Sequence, residues 1–142
     1  MDGQGLFGPF FAVMALTFVV WVYMYIRRIS FIVKNRIHPQ KLTTPDKGAA
    51  LIDEQVNWAA YNFRNLFEIP VLFYMICLYL VITGNVDGYY VAGGWIFFGF
   101  RAMHSLVQCT VNIVRLRFTL YMAGALVLWW MVFRAAYQFV IA

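Results

Sequence analysis

From Leu6 to Ile26 the chain runs without one charged side chain, and three later stretches are nearly as apolar. A helix needs about 20 predominantly apolar residues to cross the hydrocarbon core of a bilayer. Four segments meet that requirement, over about residues 6–33, 59–83, 88–114 and 118–141. Composition agrees: 63% of the 142 residues are hydrophobic and 12% charged, with a mean hydropathy of +0.71. That is too apolar for a domain with a wet surface. The expectation is an all-α membrane protein, a single domain over residues 1–142 built as a bundle of four transmembrane helices.

The first segment lacks the basic leader of a secretory signal, since only Asp2 precedes it, and is too long for such a signal's apolar core. It reads as a retained anchor. Arg27, Arg28, Lys34, Arg36, Lys41 and Lys47 crowd the first connection, the second ("TGNVDG") has no Lys or Arg, and the third carries Arg115 and Arg117. The positive-inside rule puts connections one and three in the cytoplasm and both termini outside. A plasma or cytoplasmic (inner) membrane and an endoplasmic-reticulum membrane fit this multi-pass topology equally. The net charge of +5 is then topology and attraction to lipid headgroups. No basic and aromatic stripe on a soluble face points to nucleic acid. In the first connection, Pro45, Asp46 and Gly48 read as a turn, and "LIDEQVNWAAYN" as a helical lead into the second span. Cys77 and Cys109 are isolated in apolar surroundings, which argues against a disulfide or a metal site and for ordinary core cysteines.

Two polar stripes interrupt the apolar background. Tyr61, Arg64, Asn65 and Glu68 have the i, i+3, i+4, i+7 spacing of one helical face at the start of the second span. The bland reading is an Arg64–Glu68 ion pair easing helix entry. The functional one is that Glu68, with only apolar side chains after it in that span, needs a partner inside the bundle. In the third span Arg101, His104, Gln108, Asn112 and Arg115 recur at spacings of 3, 4, 4 and 3, one stripe over about four turns. Helix-to-helix glue can account for the amides and the histidine. It does not call for two arginines, each costing about 2.5–3.5 kcal/mol in hydrocarbon, so a protein-lined, partly aqueous pocket is expected. His104 lacks a partner for haem ligation, since His38 lies in the polar loop, and a hydrogen-bonding role fits it better. Arg134, near the end of the fourth span, reads as snorkelling to the outer interface.

These features resemble the MAPEG family, the membrane-associated proteins of eicosanoid and glutathione metabolism. The likeness rests on four short spans, on Asn65-x-x-Glu68 followed by Pro70 in "NLFEIP", and on an arginine-bearing end of the third span. The resemblance implies a homotrimer of four-helix subunits, with glutathione as cosubstrate bound between subunits near the cytoplasmic face. Asn65 and Glu68 match the family's glutathione-contacting pair. Tyr61 stands where glutathione-active members usually have an arginine, leaving Arg64 nearby. The family's Arg-x-x-Tyr-x-x-x-Tyr pattern and following arginine correspond to Arg101, His104, Gln108 and Arg115, so both arginines are kept and both tyrosines replaced. A register shift would instead bring Arg117 and Tyr121 into play.

Glutathione carries two carboxylates and one amine, which call for guanidinium groups and one carboxylate; Arg64, Arg101 and Glu68 are the candidates. Arg115 is the candidate catalytic residue for stabilising the thiolate, with His104 as a hydrogen-bond donor and Asn65 and Gln108 lining the site. The implied activity is a glutathione-dependent transferase or peroxidase acting on lipophilic electrophiles or lipid peroxides. The alternative is a non-catalytic MAPEG-fold membrane subunit that binds lipid or a larger membrane complex. A transporter or channel is poorly supported, because no pair of discontinuous helices is evident.

Overall fold

The structure, a computed structural model, describes residues 3–141, so Asp2 lies outside the described residues. Six α-helices follow in chain order: α1 (Phe7–Lys34), α2 (Pro45–Leu51), α3 (Glu54–Asn65), α4 (Ile69–Ile82), α5 (Gly88–Thr110) and α6 (Val114–Ile141). No strand occurs among the described residues. Three stretches are long and apolar enough to cross a membrane, Gln4–Lys34, Glu54–Ile82 (α3 and α4 in succession) and Val114–Ile141. Their outward faces carry exposed Phe11, Phe18, Ile82, Leu126, Phe133 and Phe139, a surface suited to lipid rather than water. The chain is an integral membrane protein. At 23 residues α5 is about 34 Å long, enough to span, but it is more polar than the other three.

The "TTPDKG" segment opens α2 instead of closing a turn. The Thr44 hydroxyl accepts a hydrogen bond from the Lys47 amide at 3.4 Å, and Pro45 occupies the first helical position, where its missing N–H costs nothing. Asp46 in the first turn complements the helix dipole. The lead into the second span is helical from Glu54, behind Asp53.

The second expected span is not one straight helix. α3 stops at Asn65 and α4 resumes at Ile69, with Glu68 at the junction in a non-helical conformation (φ −97°, ψ −105°). Pro70 is the physical reason. Inside a continuous helix its ring would collide with the Leu66 carbonyl, and it has no N–H to donate. Glu68 therefore leaves the face that Tyr61, Arg64 and Asn65 were expected to share with it, and no ion pair joins Arg64 to Glu68 among the described residues.

The third expected span is also shorter than its polar pattern. α5 ends at Thr110; Asn112 takes a left-handed conformation (φ 49°), and its amide donates to the Val107 carbonyl at 2.7 Å. Asparagine tolerates that region better than most residues. A three-residue turn then returns the chain as α6, so α5 and α6 form a helical hairpin. The stripe breaks here: Arg101, His104 and Gln108 belong to α5, whereas Arg115 belongs to α6.

Apolar packing holds the bundle between these turns. Phe73 on α4 stacks on Phe97 on α5 with centroids 4.5 Å apart, amid buried Leu6, Val13, Leu80, Leu128 and Met131. Gly94 lets the start of α1 approach α5 closely, because a Cβ there would stand 2.8 Å from the Pro9 Cγ. At the other end of α5, Asp87 caps the helix by accepting the Tyr90 amide at 3.0 Å and pairs with Arg134 of α6. Arg134 is thus anchored instead of snorkelling freely, with its guanidinium 4.3 Å from the centre of the Tyr90 ring. Hydrogen bonds from Arg134 hold the Asp87 carboxyl below its ordinary pKa.

Candidate functional site

The inner face of α5 carries four buried polar side chains, Arg101, His104, Ser105 and Gln108. Burying so much polarity is costly unless each group finds a partner, and most do. His104 Nδ1 lies 2.8 Å from the Arg117 carbonyl and its Nε2 lies 2.9 Å from Gln108 Oε1. The same Gln108 oxygen is 3.1 Å from Asn65 Nδ2. A second chain runs toward α1. The Ser105 hydroxyl donates to Asn62 Oδ1 at 3.2 Å, the Asn62 amide reaches Cys109 Sγ at 3.5 Å, and the Tyr23 hydroxyl donates to the Cys109 carbonyl at 3.5 Å. Arg27 Nη1 completes it by donating to the Tyr23 oxygen at 3.2 Å. This chain borders an apolar groove of about 420 Å³ between α1 and α5, lined by Leu16, Val20, Ser105, Leu106 and Cys109 among others.

Arg101 is the exception. It is 0% exposed, yet only Nη2 is used, donating to the Asn65 carbonyl at 3.0 Å. Its Nε and Nη1 have no partner, and they are two of the three buried, unpartnered side-chain polar atoms among the described residues. An unpartnered buried donor costs about 1–3 kcal/mol, and more when charged, so these two donors suit an acceptor from outside the chain. The guanidinium also lies 5.2 Å from the Tyr121 ring centre, and Glu68 is close enough to act electrostatically on both Arg101 and Tyr121. A cation with spare donors and an amide with one free end thus lie together at the α3–α4 break, with the exposed Glu68 carboxylate in electrostatic range but not in contact. An amphoteric, anionic ligand matches that donor set.

The candidates from the sequence sort into two groups. Asn65, Arg101, His104 and Gln108 form one hydrogen-bonded cluster, with Glu68 beside it. Arg64 points elsewhere: it is exposed and lines a cleft of about 440 Å³ with Arg28, Tyr61 and Phe67 on the α1–α2 side of α3. Adjacent residues on a helix differ by about 100°, which is why Asn65 reaches α5 and Arg64 does not. Arg115 is exposed in the first turn of α6, and its side chain makes no hydrogen bond among the described residues. Arg117 is half-buried; its carbonyl holds His104 and its Nη1 donates to Asn112 Oδ1 at 2.7 Å. Tyr121 joins the cluster through Arg101 and lies 5.8 Å from the His104 ring. Both nitrogens of His104 are already engaged, so it supports its neighbours and has no N–H to offer a ligand. Asn62 and Ser105 escaped the sequence reading, although Ser105 next to His104 and Asn62 three residues before Asn65 were visible as small polar residues on inward faces.

A family model described as the MAPEG family matches residues 6–137. The chain belongs to the MAPEG family. Membership over nearly the whole sequence makes it a membrane protein of the glutathione and eicosanoid metabolism kind. No curated protein and no solved structure matches the chain. Within this MAPEG chain, Asn65 and Glu68 flank the helix break, and the two positions at which the family's tyrosines were expected carry the His104 and Gln108 of the buried cluster.

Proposed function

We propose that this MAPEG chain is a glutathione-dependent transferase or peroxidase acting on lipophilic electrophiles or lipid peroxides. The observation that carries the reading is the buried Arg101 guanidinium with two unfilled donors. Glutathione supplies a nucleophilic thiol and two carboxylates. Arg101 holds a carboxylate, Glu68 receives the ammonium and Asn65 offers the free end of its amide. Arg115, whose donors are uncommitted, stabilises the thiolate. Arg64 contributes positive potential from the adjacent cleft, and His104 and Gln108 hold Asn65 in place. Lowering a thiol pKa from about 8.5 by roughly two units takes about 2.7 kcal/mol of anion stabilisation. One desolvated guanidinium can supply this. Arg115 is exposed in the single chain, so its desolvation calls for a neighbouring copy, and the reading includes a homotrimer. It also includes α5 as a fourth span, both termini outside, and the cluster at the cytoplasmic side of the bilayer, where the lipophilic partner arrives laterally.

Thiolate absorbance on rapid mixing of the detergent-solubilised protein with reduced glutathione tests this. The expected result is a saturable signal at neutral pH that disappears in Arg115→Ala while the oligomer stays intact. Absence of any signal at millimolar glutathione with an intact oligomer sinks the reading. A second reading then takes over, a non-catalytic MAPEG-fold subunit that binds lipid or a larger membrane complex. One observation favours it: His104 and Gln108 spend their hydrogen bonds inside the chain, where the family's tyrosines would present hydroxyls.

A further inference from the structure

The Asn65, Gln108 and His104 cluster contains a constraint that fixes its hydrogens. Nδ1 of His104 faces the Arg117 backbone carbonyl at 2.8 Å. A carbonyl only accepts, so Nδ1 carries a proton. One atom of the Gln108 amide sits between His104 Nε2, at 2.9 Å, and the inner amide atom of Asn65, at 3.1 Å. Oxygen and nitrogen cannot be assigned by position in such an amide, only by its partners, and two assignments are self-consistent. With the Gln108 oxygen in the middle, both neighbours must donate: Asn65 turns its NH₂ inward and His104 carries protons on both nitrogens, as an imidazolium. With the Gln108 nitrogen in the middle, its two hydrogens serve both neighbours. His104 is then the neutral Nδ1–H tautomer and Asn65 turns its carbonyl inward. Mixed arrangements set two acceptors or two donors against each other in a buried site.

We propose that the charge on His104 sets, through Gln108, whether Asn65 presents a carbonyl or an NH₂ group to the ligand. The outer atom of the Asn65 amide has no hydrogen-bond partner among the described residues and the residue is half-buried, so this end is available. The imidazolium state leaves the Asn65 oxygen outermost, an acceptor suited to an ammonium. The neutral state leaves the NH₂ outermost, a donor suited to a carboxylate. One proton on His104, with no backbone movement, reverses the polarity of one contact in the pocket. The charged and titratable groups facing His104 are Arg101 on its own helix, Arg117 and Tyr121 on α6, and Glu68 from the α3–α4 break, which acts on Arg101 and Tyr121. Histidine is the side chain whose charge ordinarily changes near neutral pH. His104 is a positioning residue here, since it touches the ligand only through Gln108 and Asn65.

The ligand side of this inference rests on the glutathione reading; the switch itself does not, and two measurements keep them apart. In the first, side-chain nitrogen resonances of His104, Gln108 and Asn65 are followed by NMR from about pH 4 to 8 in protein reconstituted in nanodiscs, without ligand. The expected result is one shared midpoint for all three. In His104→Gln, and independently in Gln108→Met, which has no amide to relay the change and adds no titrating group, the Asn65 signal should stop titrating. Asn65 and Gln108 signals that stay constant while His104 titrates, or a His104 that does not titrate in this range, overturn the switch. In the second, affinities for glutathione and for its N-acetylated form, which lacks the ammonium, are compared across the same range. The preference for the free amine should fall by roughly tenfold as pH rises through that midpoint, the size of one charge-assisted hydrogen bond, and should be flat in both variants. A preference unchanged across the midpoint overturns the ligand side. If neither thiol binds, the glutathione reading fails and the NMR result still decides the switch.

Discussion

The Asp87 carboxylate receives two hydrogen bonds from the Arg134 guanidinium, joining the first turn of α5 to the far end of α6. The same carboxylate caps α5 through the Tyr90 amide. The pair closes the α5–α6 hairpin at the end opposite its three-residue turn, so both ends of the element that carries the buried polar cluster are pinned.

Asp87→Ala removes the cap and the ion pair together and is expected to cost about 1–2 kcal/mol in denaturant unfolding. Asp87→Asn keeps a capping oxygen, so it isolates the ion pair. With 38% of the Asp87 side chain exposed, that pair is screened and worth under about 1 kcal/mol. Because Arg134 lowers the folded-state pKa of Asp87, the contribution is complete above the ordinary carboxylate pKa and is lost as pH falls below about 4, through the folded value. Stability of wild type minus that of Asp87→Asn should shrink over that acid range; a constant difference contradicts the assignment.

Arg101→Met should separate stability from binding. Replacing a buried cation that leaves two donors unpartnered by an apolar side chain of similar length is expected to leave stability unchanged or raise it by up to about 2 kcal/mol. Glutathione binding, read by calorimetry, should be lost. A large fall in melting temperature would instead make Arg101 a structural pillar of the bundle.

Removing the helix breaker tests the break. Pro70→Ala permits α3 to continue into α4, bringing Arg64 and Glu68 to i,i+4 spacing and drawing Glu68 away from Arg101. Helical content by circular dichroism should rise slightly, and glutathione affinity should fall by about tenfold, as expected for a displaced charged contact. Unchanged affinity would show that the break does not position the carboxylate.

Gly94→Leu forces a side chain against Pro9, where even a Cβ would lie 2.8 Å from the ring. The start of α1 must shift, at a cost of about 1–3 kcal/mol, measurable as a lowered unfolding midpoint. Gly99→Ala is the control, because a Cβ there meets nothing within 4 Å.

Much of the buried cluster was legible because helical periodicity is a strong local signal: the 101, 104 and 108 spacing places three polar residues on one face, and the structure keeps them there. Periodicity does not reveal where a helix stops. Asn112 and Arg115 continued the arithmetic of the stripe past a turn that depends on the left-handed tolerance of one asparagine, and Glu68 continued the other into the break that Pro70, two residues further on, imposes. Pro70 belongs to the family motif, and its steric effect on Leu66 is equally legible in the sequence. Arg117 enters the cluster chiefly through its backbone carbonyl, and a side-chain pattern carries no trace of that. The opposite bearings of Arg64 and Asn65 follow from which faces α1 and α5 occupy, which is tertiary information.

The polar inner face of α5 also bears on biogenesis. Three stretches of this chain are long and apolar enough to cross a membrane, and α5 is not among them. It is tied to α6, which is, by three residues at one end and by Asp87 and Arg134 at the other. Nascent chain that has emerged only as far as Thr110 offers the translocation machinery a weak segment with its buried cation unsheltered. In the four-span reading proposed above, lateral release into lipid awaits α6, and the two helices enter as a pair, the more apolar member carrying the one with the polar inner face.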